Sequence, residues 1–353
     1  MDVYIDYNNF CSYLESINKE EWNEWIEWNA VLKPYLTFYF NFSEDKLNED
    51  IKIKLSFEGW HRYWFSSGRG KTKFNWNSNF PDRPIEPNIH NSFTPEQLSS
   101  IYMLDRVGVE EWAEKGVLLV APVGKELNVI KKLQIDNKFV PVGMFSIKDL
   151  KDWSKFGENS SPCTDIIIAD PYIFAQKEEN YEVNFLALLD QLCHAKGMPI
   201  NIVIFTYKYY IENQNKEYPK FKEIINKIKN KINEKIGVEP NVTIVKTTGE
   251  HDRTIFTNYK LYISGDSFKY FDNNGEHITK GRTFSIISIY DSDNKKLSSD
   301  FIEDMQKVID GKGKNCILGD KKSNFLTFPE VSPCGGNIAE NVNESEPNIS
   351  KSS

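Results

Sequence analysis

From residue 164 onward, apolar side chains come in short unbroken runs that alternate with helical repeats, whereas before residue 150 the pattern shifts from one segment to the next. TDIIIADPYIF (164–174) is a continuous apolar run closed by a turn, INIVIFTYKYY (200–210) is another, and NVTIVKT (241–247) is a third. Unbroken runs of this length predict strands. Between them, NFLALLDQLCHAKG (184–197) predicts a helix closed by glycine. KEYPKFKEIINKIKNKINEKIG (216–237) repeats Phe221, Ile224, Ile225, Ile228, Ile232 and Ile236 at helical spacing. HDRTIFTN (251–258), KLYIS (260–264) and RTFSIISIYD (282–291) predict three further strands. Such alternation implies an α/β domain, a mixed sheet flanked by helices with a parallel portion.

The first region predicts an α+β domain. KEEWNEWIEWNAVL (19–32), with early acids and Pro34 beyond, predicts a helix, and DIKIKLSFEGWHRYWF (50–65) alternates like a strand. SFTPEQLSSIYML (92–104) and GVEEWAEKG (108–116) predict helices, and GVLLVAP (116–122) a buried strand. Seven of the eight tryptophans precede residue 150, so the two regions have differently built cores. The loop-like KFGENSSPC (155–163) marks the division. The expected organisation is an aromatic-rich domain over 1–150, an α/β domain over 160–328, and a disordered Asn/Ser/Glu/Pro tail over 329–353.

Composition narrows the function classes. A net charge of −8 excludes a surface that binds polyanions everywhere and leaves room only for a local basic site. The five scattered cysteines have no C-x-x-C spacing, which points away from a disulfide framework or a zinc ribbon and toward a reducing cytoplasm. The opening MDVYIDYNNF carries acids where a signal peptide needs basic residues, and no apolar run reaches the ~18–20 residues of a membrane span. The expected protein is cytoplasmic, with no membrane partner and no cofactor.

The candidate chemistry lies in GEHDRTIFTNYKLYISGDSF (249–268). Alternate side chains of a strand share a face, so His251 and Arg253 would converge. An imidazole can attack phosphorus or carry a proton near neutral pH, and a planar guanidinium holds two phosphate oxygens. Asn258 lies at the far end of the strand, and Gly265 would let backbone amides approach an anion closely. The plainer reading makes His251 a strand cap and pairs Arg253 with an acid such as Asp170.

This stretch resembles the phospholipase D superfamily, whose motif is His-x-Lys, four residues, Asp, then six residues and Gly-Ser. Here the spacing is met by His251, Arg253, Asn258 and Gly265, with Asp266 at the family's serine position and Ser267 one place later. The β-α-β-α-β-β order, opening on a strand that ends in DPY, is similar to one repeat of that fold over about residues 160–312. The resemblance implies catalytic roles for His251, Arg253 and Asn258 and phosphate contacts at Gly265, Asp266 and Ser267. It also implies a metal-independent site completed by a second motif. His61, His90, His194 and His277 do not supply that motif, so a homodimer is expected.

A second basic stretch, residues 52–76, has six basic residues against one acid, interleaved with Trp60, Tyr63, Trp64 and Trp76. Arg69, Lys71 and Lys73 are its candidate nucleic-acid contacts; the alternative is that its aromatics build a core. Gly70-Lys71-Thr72 does not complete a phosphate loop, because Phe65 stands where glycine is required. Asp165, Asp170 and Asp266 form a weak candidate metal set. The expected function is a phosphodiesterase, a nuclease rather than a lipase; the alternative is a non-catalytic nucleic-acid- or partner-binding protein.

Overall fold

A computed structural model describes residues 2–16, 37–66, 73–79, 101–103, 118–120, 143–158, 160, 163–175, 178–193, 200–207, 221–247, 253–279, 281–289, 295–312 and 316–329. The expected helices at 19–32 and 108–116, and the tail from 330, lie outside these residues.

The first region builds a sheet of five strands, β1 (Asp2–Ile5), β2 (Thr37–Phe40), β3 (Lys73–Asn75), β4 (Ile101–Met103) and β5 (Leu118–Val120), in the order β3-β2-β1-β4-β5. Every pairing among the described strands is parallel, an α/β feature in the region expected to be α+β. Strand β4 occupies the end of the segment expected to be helical. Two helices are described, α1 (Tyr7–Ser16) and α2 (Ile51–Ser66).

Helix α2 corrects the strand expected over 50–65. Its opening Ile51, Ile53, Leu55, Phe57 satisfies a period of two, but the buried set is Ile53, Phe57 and Trp60, which is helical spacing. Ile51 and Leu55 are left 72% and 62% exposed. Asp50 starts the helix by accepting the N–H groups of Lys52 and Ile53 on Oδ1. Trp60 packs edge-on against Phe10 and Phe38, and Trp76 stacks on Phe40 with centroids 4.4 Å apart. The aromatic richness read from the sequence is therefore a core.

The second region is an eight-stranded mixed sheet. Its strands are β6 (Gly143–Ser146), β7 (Asp165–Ala169), β8 (Asn201–Tyr207), β9 (Asn241–Thr247), β10 (Thr254–Thr257), β11 (Lys260–Ser264), β12 (Thr283–Ser288) and β13 (Ile317–Gly319). The order is β13-β9-β8-β7-β10-β11-β12-β6, with β7, β8 and β9 parallel and the others antiparallel to their neighbours. Strand β6, from the part of the chain assigned to the first region, forms an edge of this sheet.

The unbroken apolar runs are explained by two covered faces. Ile166, Ile168, Ile202, Ile204, Val242 and Ile244 pack under α3 (Ala187–Leu192) and α4 (Phe221–Ile236), the latter burying Ile224, Ile228, Ile232 and Ile236. Ile167, Ala169, Val203, Phe205 and Val245 pack under α5 (Lys295–Asp310), through Phe301, Ile302, Met305 and Ile309. A π-helical turn, Glu182–Leu186, leads into α3. Gly319 is needed where β13 meets β9: its φ is +101°, and a Cβ there would fall 2.1 Å from the Val242 carbonyl oxygen.

Candidate functional site

The three parallel strands β7, β8 and β9 end at one edge of the second sheet. Since β10 is antiparallel to β7 and β11 to β10, β10 begins there and β11 ends there. That direction alone gathers Asp170, Tyr207, Arg253 and the segment 265–269. Ligands of open α/β sheets bind outside the carboxyl ends of their parallel strands.

Arg253 immediately precedes β10. Its guanidinium carbon lies 5.5 Å from the ring centroid of Tyr172, and its Nε is buried without a hydrogen-bond partner among the described residues. The expected ion pair with Asp170 is absent there. Asp170, with no exposed surface, instead accepts the N–H of Tyr172 (2.9 Å), the hydroxyl of Ser267 (2.8 Å) and the N–H of Phe268 (2.8 Å). Burial pushes its carboxyl above the usual aspartate range, while these three donors and the charge of Lys269 oppose the rise. Asp170 thereby ties the turn after β7 to the turn after β11.

Asp266 lies in the field of Arg253. Its carboxylate accepts the hydroxyl of Thr279 and the N–H groups of Ser267 (2.9 Å) and Gly281 (3.2 Å). Partial burial would raise its pKa, but these donors and the Arg253 charge outweigh that and hold it below the ordinary value. Lys269 donates to the Ala175 carbonyl (3.0 Å); burial lowers its pKa, Asp170 and Asp266 act the other way, and Arg253 adds to the lowering. The edge therefore carries two cations and two carboxylates, with Lys269 in the field of the other three and Asp266 in the field of Arg253.

The remaining candidates divide sharply. His251 lies outside the described residues. Asn258 sits at the opposite end of β10, five residues or ~16 Å away from Arg253. Its Oδ1 accepts the N–H groups of Thr164 (2.8 Å) and Asp165 (2.9 Å), and its amide donates to the Thr164 hydroxyl (3.1 Å). The Asn258 side chain is thus spent on the start of β7, at the end of β10 opposite Arg253. Gly265 donates its N–H to the Thr283 carbonyl (3.2 Å), and a Cβ there would meet only an ordinary contact at 3.5 Å. Its amide is committed to the chain's own backbone. The hydroxyl and N–H of Ser267 are spent on Asp170 and Asp266.

Asp165 lies at the start of β7 and Asp170 just past its end, so the imagined trio with Asp266 does not converge. No group of three or more His, Cys, Asp or Glu suited to a metal occurs among the described residues. Of the second basic stretch, Lys73 is exposed on β3, the edge strand of the first sheet, whereas Arg69 and Lys71 lie outside the described residues. Trp60 is 4% exposed and is not available to stack on a base.

Sequence reading passed over Tyr172, Tyr207 and Lys269. Tyr172 and Tyr207 meet edge to face, centroids 5.1 Å apart at 78°. The signal that can find them is position: each lies at or just past the carboxyl end of a parallel strand.

No family model matches the chain, and no curated protein matches it. Among solved structures, the chain is similar to an archaeal chromatin protein, TrmBL2, whose structure is described as showing a novel mode of DNA binding. The identity is 13%, the overlap covers 52% of this chain and 58% of that one, and the TM-score is 0.25. At that score the overlap carries no argument about fold or activity.

Proposed function

We propose that this chain is a phosphodiesterase acting on nucleic acid, that its second region is one phospholipase D-like repeat, and that the phosphodiester lies against Arg253. The observation that carries the reading is the Arg253 guanidinium: a buried Nε–H with no acceptor among the described residues, at the carboxyl ends of the parallel strands, with Lys269 within its electrostatic reach. Covalent geometry keeps the Cα of His251 within about 7 Å of that of Arg253.

In this mechanism an imidazole nitrogen of His251 attacks phosphorus, forming a P–N bond as the P–O bond to the leaving group breaks. Arg253 and Lys269 hold the non-bridging oxygens as charge builds on them. The leaving alkoxide takes a proton from a general acid, which in a one-motif chain comes from His251 of a second copy. Water then cleaves the P–N bond and regenerates the imidazole.

The non-catalytic alternative draws on Asp266. Its donors and the Arg253 charge hold its carboxyl below the ordinary aspartate range, and a fixed negative charge there opposes the extra charge that builds on a reacting phosphate more than it opposes a bound one. Arg253→Ala and His251→Ala decide between the two readings. If the site is catalytic, Arg253→Ala slows hydrolysis of a small phosphodiester by about 100- to 1,000-fold, the loss of about 3–4 kcal/mol typical of a preorganised donor. His251→Ala then abolishes hydrolysis and the phosphohistidine that accumulates when turnover is slowed. Wild-type protein that binds but hydrolyses no phosphodiester establishes the binding-only reading.

A further inference from the structure

We infer that the ligand of the Arg253 edge is a single-stranded nucleic acid, with a base stacked on the Tyr172–Tyr207 pair while its phosphate meets Arg253. This deepens the proposed function and rests on Arg253 being the phosphate contact.

Tyr172 is a fixed platform. The turn that carries it is anchored by three hydrogen bonds: its own N–H donates to Asp170, and the Pro171 carbonyl accepts both the Thr206 hydroxyl (3.1 Å) and the N–H of Tyr207 (3.2 Å). The next two residues, Ile173 and Phe174, have no exposed surface, so the turn cannot swing away from the sheet. Both tyrosines are nevertheless only half-buried. A rigid aromatic pair, partly open and adjoining a guanidinium, is the combination that holds unpaired nucleotides: bases stack on the rings and phosphates follow the charge.

The chemistry selects against the other polyanions. In a duplex the base faces are already stacked on each other and cannot reach a ring without extrusion. A lipid phosphate would use Arg253 but gain nothing from a planar stacking surface, and a free phosphate likewise. Every base presents a π face, so binding is tolerant of sequence.

The test uses the full chain and fluorescence anisotropy with labelled oligothymidylate, a matched duplex, anionic phospholipid vesicles, and inorganic phosphate as competitor. The wild type is expected to bind the single strand at least tenfold more tightly than the duplex. Tyr172→Leu and Tyr207→Leu should each weaken single-strand binding by about 5- to 100-fold, the usual cost of losing one base stack. Duplex binding and melting temperature should stay unchanged, and Tyr172→Phe, which keeps the ring, should bind like the wild type. Equal affinity for duplex and single strand, tight vesicle binding without single-strand binding, or folded leucine variants that bind as well as the wild type would each overturn the inference. If those leucine variants bind normally while Arg253→Ala removes competition by phosphate, the stacking inference falls and the phosphate site stands. If Arg253→Ala changes neither oligonucleotide nor phosphate binding while Tyr172→Leu weakens the single strand, the phosphate contact at Arg253 falls instead.

Discussion

Asn258 uses one side-chain oxygen to accept two buried peptide N–H groups, those of Thr164 and Asp165, at the turn that joins β10 to β11. Its place in the motif and its place in the molecule therefore differ in kind. Asn258→Ala should leave both N–H groups unpaired and cost about 2–6 kcal/mol in denaturant unfolding, since each orphaned buried group costs ~1–3 kcal/mol. Asn258→Asp keeps both acceptor contacts but sets a second carboxylate beside the buried Asp165. It should lower the melting temperature more at pH 8 than at pH 5 and leave phosphodiester binding unaltered. Raised cleavage with unaltered melting would instead return Asn258 to the reacting site.

Among elements, the start of β7 depends on a segment far along the chain. Asp165 accepts the Ser323 hydroxyl (2.9 Å), the Asn324 N–H (2.8 Å), the Asn324 side-chain amide and the Asn201 amide (3.3 Å). Burial lifts its carboxyl from 3.8 to about 7 against the pull of those donors. Because the folded pKa lies above the unfolded one, the folded state holds this proton more tightly. The resulting stability is complete below about pH 4, declines through the interval up to about pH 7, and is gone above it. The span is worth on the order of 4 kcal/mol. Melting temperature should accordingly fall between pH 5 and pH 8, and Asp165→Asn, whatever its baseline stability, should flatten that slope. An Asp165→Asn variant with the wild-type slope would show that the dependence originates elsewhere.

For the whole molecule, the proposed histidine mechanism finds one nucleophile in this sequence and no second motif whose histidine would protonate the leaving group. The active form is predicted to be a two-fold dimer with the His251 segments facing each other, and light scattering of the active fraction should report at least twice the chain mass. A monomer that cleaves at full rate would contradict this. Activity should also persist in EDTA, because the histidine route needs no metal; its loss there would move the reaction to metal chemistry. No described helix is long and apolar enough to cross a membrane.

How much of this was legible beforehand follows from the range of the interactions involved. The strands β7 to β12 and the helix α4 were readable because burial on both faces of a sheet, or on one face of a helix, writes a periodic pattern into neighbouring residues. The edge holding Arg253 was half legible: the motif spacing that singles out Arg253 is local, and the DPY turn served only to mark the end of a strand, with no role given to Tyr172. Helix α2 was misread because Ile51 to Phe57 satisfies two periods at once, and only the packing of Trp60 against Phe10 and Phe38 chooses between them. The parallel pairing in the first region likewise depends on strands far apart in sequence. Asp170 meets Ser267, and Asn258 meets Thr164, across more than ninety residues. Local sequence determined which residues can form strands and carry charge. Only the direction in which β10 and β11 run against β7 decided that Arg253, Lys269 and Tyr172 share one edge while Asn258 serves the other.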